Sequence, residues 1–221
     1  RYVYPSAVLI LLVAVEALRA TNPGRNGLLA VLVVTVLALG ANLARARDGT
    51  DFYRDSTEQL TAQLAAVEIA GDAVEPEFEV GTFPRVEAGR YLGAVERNGS
   101  VAPSEEELAA APSVAGQAAD ATLIEALGIV LDPAPPGAAR SCGPRRRLSL
   151  PAELELEGSA VLRTGAPARV ELRRFGIEGV EVGELAGGAA GVLRIPPDSS
   201  DRPWIATVAP TGAAGGRLIA C

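Results

Sequence analysis

The sequence predicts an α+β membrane protein fragment: a transmembrane helical hairpin, a small helical region, then an antiparallel β-sandwich. Three observations predict it. Two nearly pure apolar runs stand side by side at the N-terminus. An acidic stretch with helical periodicity follows them. Beyond residue 148 the apolar period shortens to two, and Gly and Pro recur roughly every ten residues, the spacing of short strands in a sandwich. The corresponding organisation is 1–47 for the two membrane helices, 48–140 for the helical region and 141–221 for the β-sandwich.

The apolar runs cover about residues 2–18 and 27–44. Each has the length needed to cross a hydrocarbon core of ~30 Å, at its short end. Tyr2 and Tyr4 suit an interface, where amphipathic rings are favoured. A Pro23-Gly24 turn joins the runs, and its Arg19 and Arg25 with no acid place it on the cytoplasmic side. Both outer ends, and everything after residue 45, are then exocytoplasmic. A hairpin fits better than a cleaved signal, which would carry its basic residues first. Glu16 is the one acid inside a span. An intramembrane carboxylate is a functional candidate, and the plainer alternative is an interfacial acid paired with Arg19. The chain has no Met and begins at Arg1, so it is expected to be part of a longer protein.

In the 48–140 region Thr50 or Asp51 can cap a helix to about Ala70, with Tyr53, Leu60, Leu64 and Val67 as its apolar stripe and Gly71 as its stop. Residues 75–80 read as extended, and residues 83–95 as a turn and a short helix. Ser104 with Glu107 has capping-box spacing. A further helix over about 113–127 carries Ala119, Leu123 and Leu127 on one face. Pro133, Pro135 and Pro136 then mark a boundary. Asn98-Gly99-Ser100 matches a glycosylation sequon, but reads more simply as an Asn-Gly turn.

The strands expected in the last segment centre on Leu148, Leu154-Glu155-Leu156, Val161-Leu162-Arg163, Val170-Glu171-Leu172, Val192 to Ile195, Trp204 to Val208 and Leu218-Ile219-Ala220. Arg145, Arg146 and Arg147 form a basic cluster that could meet anionic lipid or a sugar phosphate; a solvated strand entry is the plainer alternative. Trp204, the one Trp, could stack on a sugar ring or fill the core. Cys142 and Cys221 are the only cysteines. In an exocytoplasmic setting they read as one disulfide, worth about 4–5 kcal/mol by loop closure, with two separate buried thiols as the alternative.

Composition narrows the chemistry. There is no His and all 20 basic residues are Arg. His-ligated metal sites, Ser-His triads, Schiff-base lysines and phosphate-loop lysines are therefore excluded within this chain. No cofactor and no metal is expected. The net charge of −7 is unevenly spread: about +4 over residues 1–47 (five Arg, one Glu), −13 over 48–135 (four Arg, seventeen acids) and +2 over 136–221 (eleven Arg, nine acids). No basic face for nucleic acid emerges.

The stretches RYVYPSAVLILLVAVEALR, VEAGRYLGAVERNGSVAPSEEELAAAP, AADATLIEALGIVLDP and LRIPPDSSDRPWIATV resemble the C-terminal part of large actinobacterial polytopic membrane proteins of the GT-C glycosyltransferase type. That resemblance implies a multi-pass plasma-membrane protein with a polyprenyl-phosphate sugar donor, further helices upstream and an outer tail that contacts glycan. Its essential acid would lie in an early loop, so no catalytic residue is carried onto this chain. The expected partners are the lipid bilayer and a cell-envelope glycan or polyprenyl-linked sugar. The competing reading is a membrane-anchored binding or assembly module without enzymatic activity. A hydrolase on an anchor would need a paired-carboxylate site, and none can be chosen from the sequence.

Overall fold

The structure, a computed structural model, describes residues 12–13, 16, 24–81, 85–111, 113–135, 146–212 and 216–221. The chain divides into two compact units, Arg1–Arg54 and Asp55–Cys221.

One helix, α1, runs from Arg25 to Ala70 without interruption. The sequence reading separated a membrane span from a second helix after residue 45. No Pro lies between them, Ala44, Ala46 and the Arg residues sustain helix, and Thr50, expected with Asp51 as a cap, instead donates its hydroxyl back to the Ala46 carbonyl at 2.8 Å, so the two merge. In the first unit the apolar part of α1 is exposed throughout, including Leu32, Val34, Leu37 and Leu39. An 18-residue window there has a mean hydropathy of 2.3. Among the described residues this is the one helix long and apolar enough to cross a membrane. Of the expected hairpin, the second span is the apolar part of this helix; most of the first, residues 2–18, lies outside the described residues. Thr35 fits the apolar stretch because its hydroxyl donates back to the Val31 carbonyl at 2.8 Å, leaving no free polar hydrogen.

In the second unit the end of α1 enters the core. Ala62, Leu64, Ala65, Ala66, Val67 and Ile69 are buried, whereas Tyr53, expected on that stripe, is exposed. Gly71, at φ +53°, ends the α-helix and opens a single 3-10 turn, Gly71–Ala73. A short hairpin of β1 (Glu79–Val80) and β2 (Val86–Glu87) leads into α2 (Ala88–Asn98). Gly99, at φ +84°, closes α2 by donating its N–H to the Val95 carbonyl. Helix α3 (Glu105–Ala109) begins with the expected capping box: Glu107 N–H donates to Ser104 Oγ at 3.3 Å, and Ser104 N–H donates to Glu107 Oε2 at 2.8 Å. Donation from the Ser104 backbone N–H, with the Ser104 hydroxyl as the lesser cause, holds the Glu107 carboxyl below its usual range. Helix α4 spans Ser113–Ala126.

Two antiparallel sheets follow, with their buried faces in one shared core, the arrangement of a β-sandwich. One sheet has the order β5-β10-β7-β8, from Ala152–Leu156, Trp204–Pro210, Ala168–Arg173 and Val180–Leu185. The other is β3-β9-β6-β11-β4, from Leu131–Pro133, Ala190–Leu193, Ala160–Thr164, Arg217–Ala220 and Arg146–Ser149. From β4 onward every connection crosses between sheets except the β7–β8 hairpin. Period-two patterning makes this possible: β7 buries Ala168, Val170 and Leu172, and β10 buries Trp204, Ala206 and Val208. Burying each of Val170, Leu172 and Val208 contributes roughly 1.5–3 kcal/mol.

All seven expected strand centres lie on observed strands or at their ends. Two strands of the sandwich escaped the sequence reading, β3 and β8, as did the two-residue β2 within the stretch read as a turn and a short helix. Strand β3 shows that the first of the three prolines, Pro133, sits in the five-stranded sheet, and that residues 55–135 and the sandwich share one unit. Gly183 in β8 adopts φ +152°, and a Cβ there would lie 3.0 Å from Leu131 Cβ. Only glycine suits that backbone and that approach of β3.

Candidate functional site

The polar interior of the second unit centres on the turn after β7. Asp120 projects from α4 and is fully buried. Its carboxylate accepts three consecutive backbone N–H groups: Arg174 at 2.9 Å, Phe175 at 3.0 Å and Gly176 at 2.8 Å. The helix comes this close because Gly116 has no side chain; a Cβ there would stand 2.7 Å from the Phe175 carbonyl oxygen. Burial pushes the Asp120 carboxyl above its ordinary value, opposed by the three N–H groups and the Arg174 charge.

This turn fixes Arg174. Its guanidinium Nη1 meets Asp198 Oδ2 at 2.9 Å, with both side chains almost fully buried, 4% and 3% exposed. The guanidinium carbon also lies 4.4 Å from the centroid of the Trp204 ring, a cation–π arrangement. Arg174 Nε and Trp204 Nε1 are buried donors without an acceptor among the described residues. Such orphaned groups are rare and call for an explanation.

Residues 194–203, which link β9 to β10, wrap this cluster. Ser199 donates both its N–H and its hydroxyl to the Ile69 carbonyl, each at 3.0 Å. Ser200 N–H donates to Asp198 Oδ1 at 2.9 Å, and its hydroxyl donates to Glu105 Oε1 at 2.6 Å. Arg202 pairs with the same carboxylate at 3.4 Å. Between this loop and the end of β5 lies a cleft of about 280 Å³, lined by Arg174, Trp204, Asp198, Arg202 and the exposed acids Glu157 and Asp201. Its donors and acceptors suit it to hold a ligand. Among the described residues no group of three or more His, Cys, Asp or Glu could hold a metal ion.

The site residues read from sequence do not assemble here as expected. Trp204 is 1% exposed and its ring lies beneath Arg174, so it is no open stacking platform. Arg146 and Arg147 are exposed on the edge strand β4, and Arg145 lies outside the described residues. Glu16 is helical and exposed, while its expected partner Arg19 lies outside the described residues. Cys142 also lies outside them; Cys221, just after β11, is not a free thiol. Sequence reasoning missed Asp120, Arg174 and Asp198. Two signals were present. Asp120 falls on the same helical face as Leu123, Ile124 and Leu127, where an acid is out of place. Arg174 has the inward parity of Val170 and Leu172. Compared with protein-family models, with curated proteins and with solved structures, the chain matches none.

Proposed function

We propose that this chain is a membrane-anchored binding module whose β-sandwich unit works outside the cytoplasm. The observation that carries the reading is the asymmetry of α1. Its first half exposes a continuous apolar surface of membrane-crossing length, and its last turns are built into the core of the second unit. The uneven charge and the bound state of Cys221 support an oxidising, exocytoplasmic setting. The disulfide expected between Cys142 and Cys221, the two cysteines of the sequence, belongs to this reading. Within the glycosyltransferase resemblance, this is the non-catalytic outer portion of a polyprenyl-phosphate-sugar-dependent membrane protein, and its role is to contact a cell-envelope glycan.

Expression of the full chain in a bacterium, followed by alkaline carbonate extraction and labelling of intact cells with an impermeant maleimide, tests this. The wild type should stay in the membrane and take no label without reductant. Ile177→Cys, at a position 75% exposed, should be labelled from outside. Release of the chain after cleavage near α1, as for a signal sequence, would overturn the anchor. Labelling of Ile177→Cys only in inverted vesicles would overturn the topology.

A further inference from the structure

We propose that the cleft beside Arg174 and Trp204 binds a neutral polyhydroxyl ligand, a single sugar ring, through hydrogen bonds rather than aromatic stacking. The inference deepens the binding function proposed above and rests on it. It starts from the two orphaned donors. Arg174 Nε and Trp204 Nε1 belong to residues that line the same cleft, and each is buried without an acceptor. A buried donor left unmade costs about 1–3 kcal/mol, so an acceptor supplied from the cleft is favoured.

The charges select the kind of acceptor. Arg174 is already matched by Asp198, and Arg202 by Glu105. The acids left over are Glu157 and Asp201, both exposed at the cleft. An anion would be repelled by them, and a cation has no lone pair to offer the two orphaned N–H groups. Hydroxyl groups serve both sides, since each accepts from a buried N–H and donates to a carboxylate. The volume of about 280 Å³ lies at the lower edge of small-molecule sites, which suits one ring. Stacking is closed off because the guanidinium of Arg174 occupies the Trp204 face.

Trp204 is the only Trp, so its fluorescence reports on this cleft alone. The full chain in detergent micelles is titrated with glucose, galactose and mannose, and with inorganic phosphate and choline as charged probes. Saturable change with at least one sugar in the millimolar range, and none with phosphate or choline, is expected. The double variant Glu157→Gln, Asp201→Asn, at two exposed positions outside the core, should weaken that binding about tenfold, because the amides keep an acceptor oxygen but lose the charge that strengthens its bond to a hydroxyl. No saturable change with any of the sugars, saturation by phosphate or choline instead, or unchanged sugar binding in the double variant would each overturn the proposal. Failure here with the chain still anchored and labelled from outside leaves the anchoring result standing, so the two outcomes are distinguishable.

Discussion

Removing the Asp120 carboxylate should release the turn that carries Arg174, and the size of the effect follows from the bonds it makes. Asp120→Ala leaves three buried backbone N–H groups without their acceptor. Each such orphan costs about 1–3 kcal/mol, and water entering the vacated space recovers part of it. A net loss of about 3–5 kcal/mol is expected, in the range that marks a broken buried network. For a unit of this size that lowers the melting temperature by roughly 6–20 °C, at about 2–4 °C per kcal/mol. Asp120→Asn keeps one carbonyl acceptor and should lose about half as much. The assay is thermal unfolding of the full chain in detergent, followed by the near-ultraviolet signal of Trp204, whose ring packs against Arg174. The exposed Glu184→Ala is the control. If Asp120→Ala loses no more than Glu184→Ala, the carboxylate is not what holds the turn, and the account of the site fails at its base.

The pH dependence of the same residue has a definite sign. Because the folded carboxyl is raised above its ordinary value, the folded chain holds its proton after the unfolded chain has lost it, so stability from this group is full below about pH 4 and declines as pH rises through the folded value. The stability advantage of wild type over the non-titrating Asp120→Asn should therefore shrink as pH rises from about 4; an advantage that grows in paired melts would show that the N–H groups outweigh burial. Two glycines should respond to alanine with opposite sign. Gly116→Ala drives a Cβ against the Phe175 carbonyl and should cost about 1–3 kcal/mol. Gly93→Ala in α2 meets only Arg97 Nη1 at 3.6 Å and should gain about 0.5–1 kcal/mol, a contrast that urea unfolding of the two variants resolves.

What could be read from sequence divides along physical lines. Local devices were legible. The Ser104 capping box, the stop at Gly71 and the alternation of β5, β7 and β10 each depend on residues within a few positions of one another. Strand β8 was obscured by Gly179 and Gly183, which read as breaks; there the glycines serve close packing against Glu171 and Leu131 instead. The helix break expected after residue 45 rested on hydropathy, which marks apolar runs but does not show where a helix continues past the apolar stretch, as α1 does through Arg45 and Arg47. Asp120 could be flagged as misplaced on an apolar face, but not matched to its partners, 54 to 56 positions away. The same distance problem hid Asp198. Arg173 and Arg174 look alike in sequence, yet strand parity turns one outward to Glu153 at 3.2 Å and the other inward to Asp198.

That inward arginine lies on a chain of contacts that ties the helices of the second unit to its sheets. A buried ion pair is weak evidence for stability by itself, because desolvation offsets much of the attraction, while removing one partner costs about 3–5 kcal/mol. Here the pair is one step in a continuous path. Asp120 on α4 holds the backbone of Arg174; Arg174 holds Asp198; Asp198 orders Ser200; and the Ser199–Ser200 segment bonds Ile69 of α1 and Glu105 of α3. The two ends of the path join helices to the sandwich, Asp120 of α4 at one and Ile69 of α1 with Glu105 of α3 at the other. A substitution at any one of them is therefore felt at the cleft, and the orphaned Nε of Arg174 and Nε1 of Trp204 lie where the path is most constrained. A purely structural network of this kind would be expected to satisfy its own donors. Two left without an acceptor, on residues that line the cleft, are the departure from that expectation on which the proposed ligand rests.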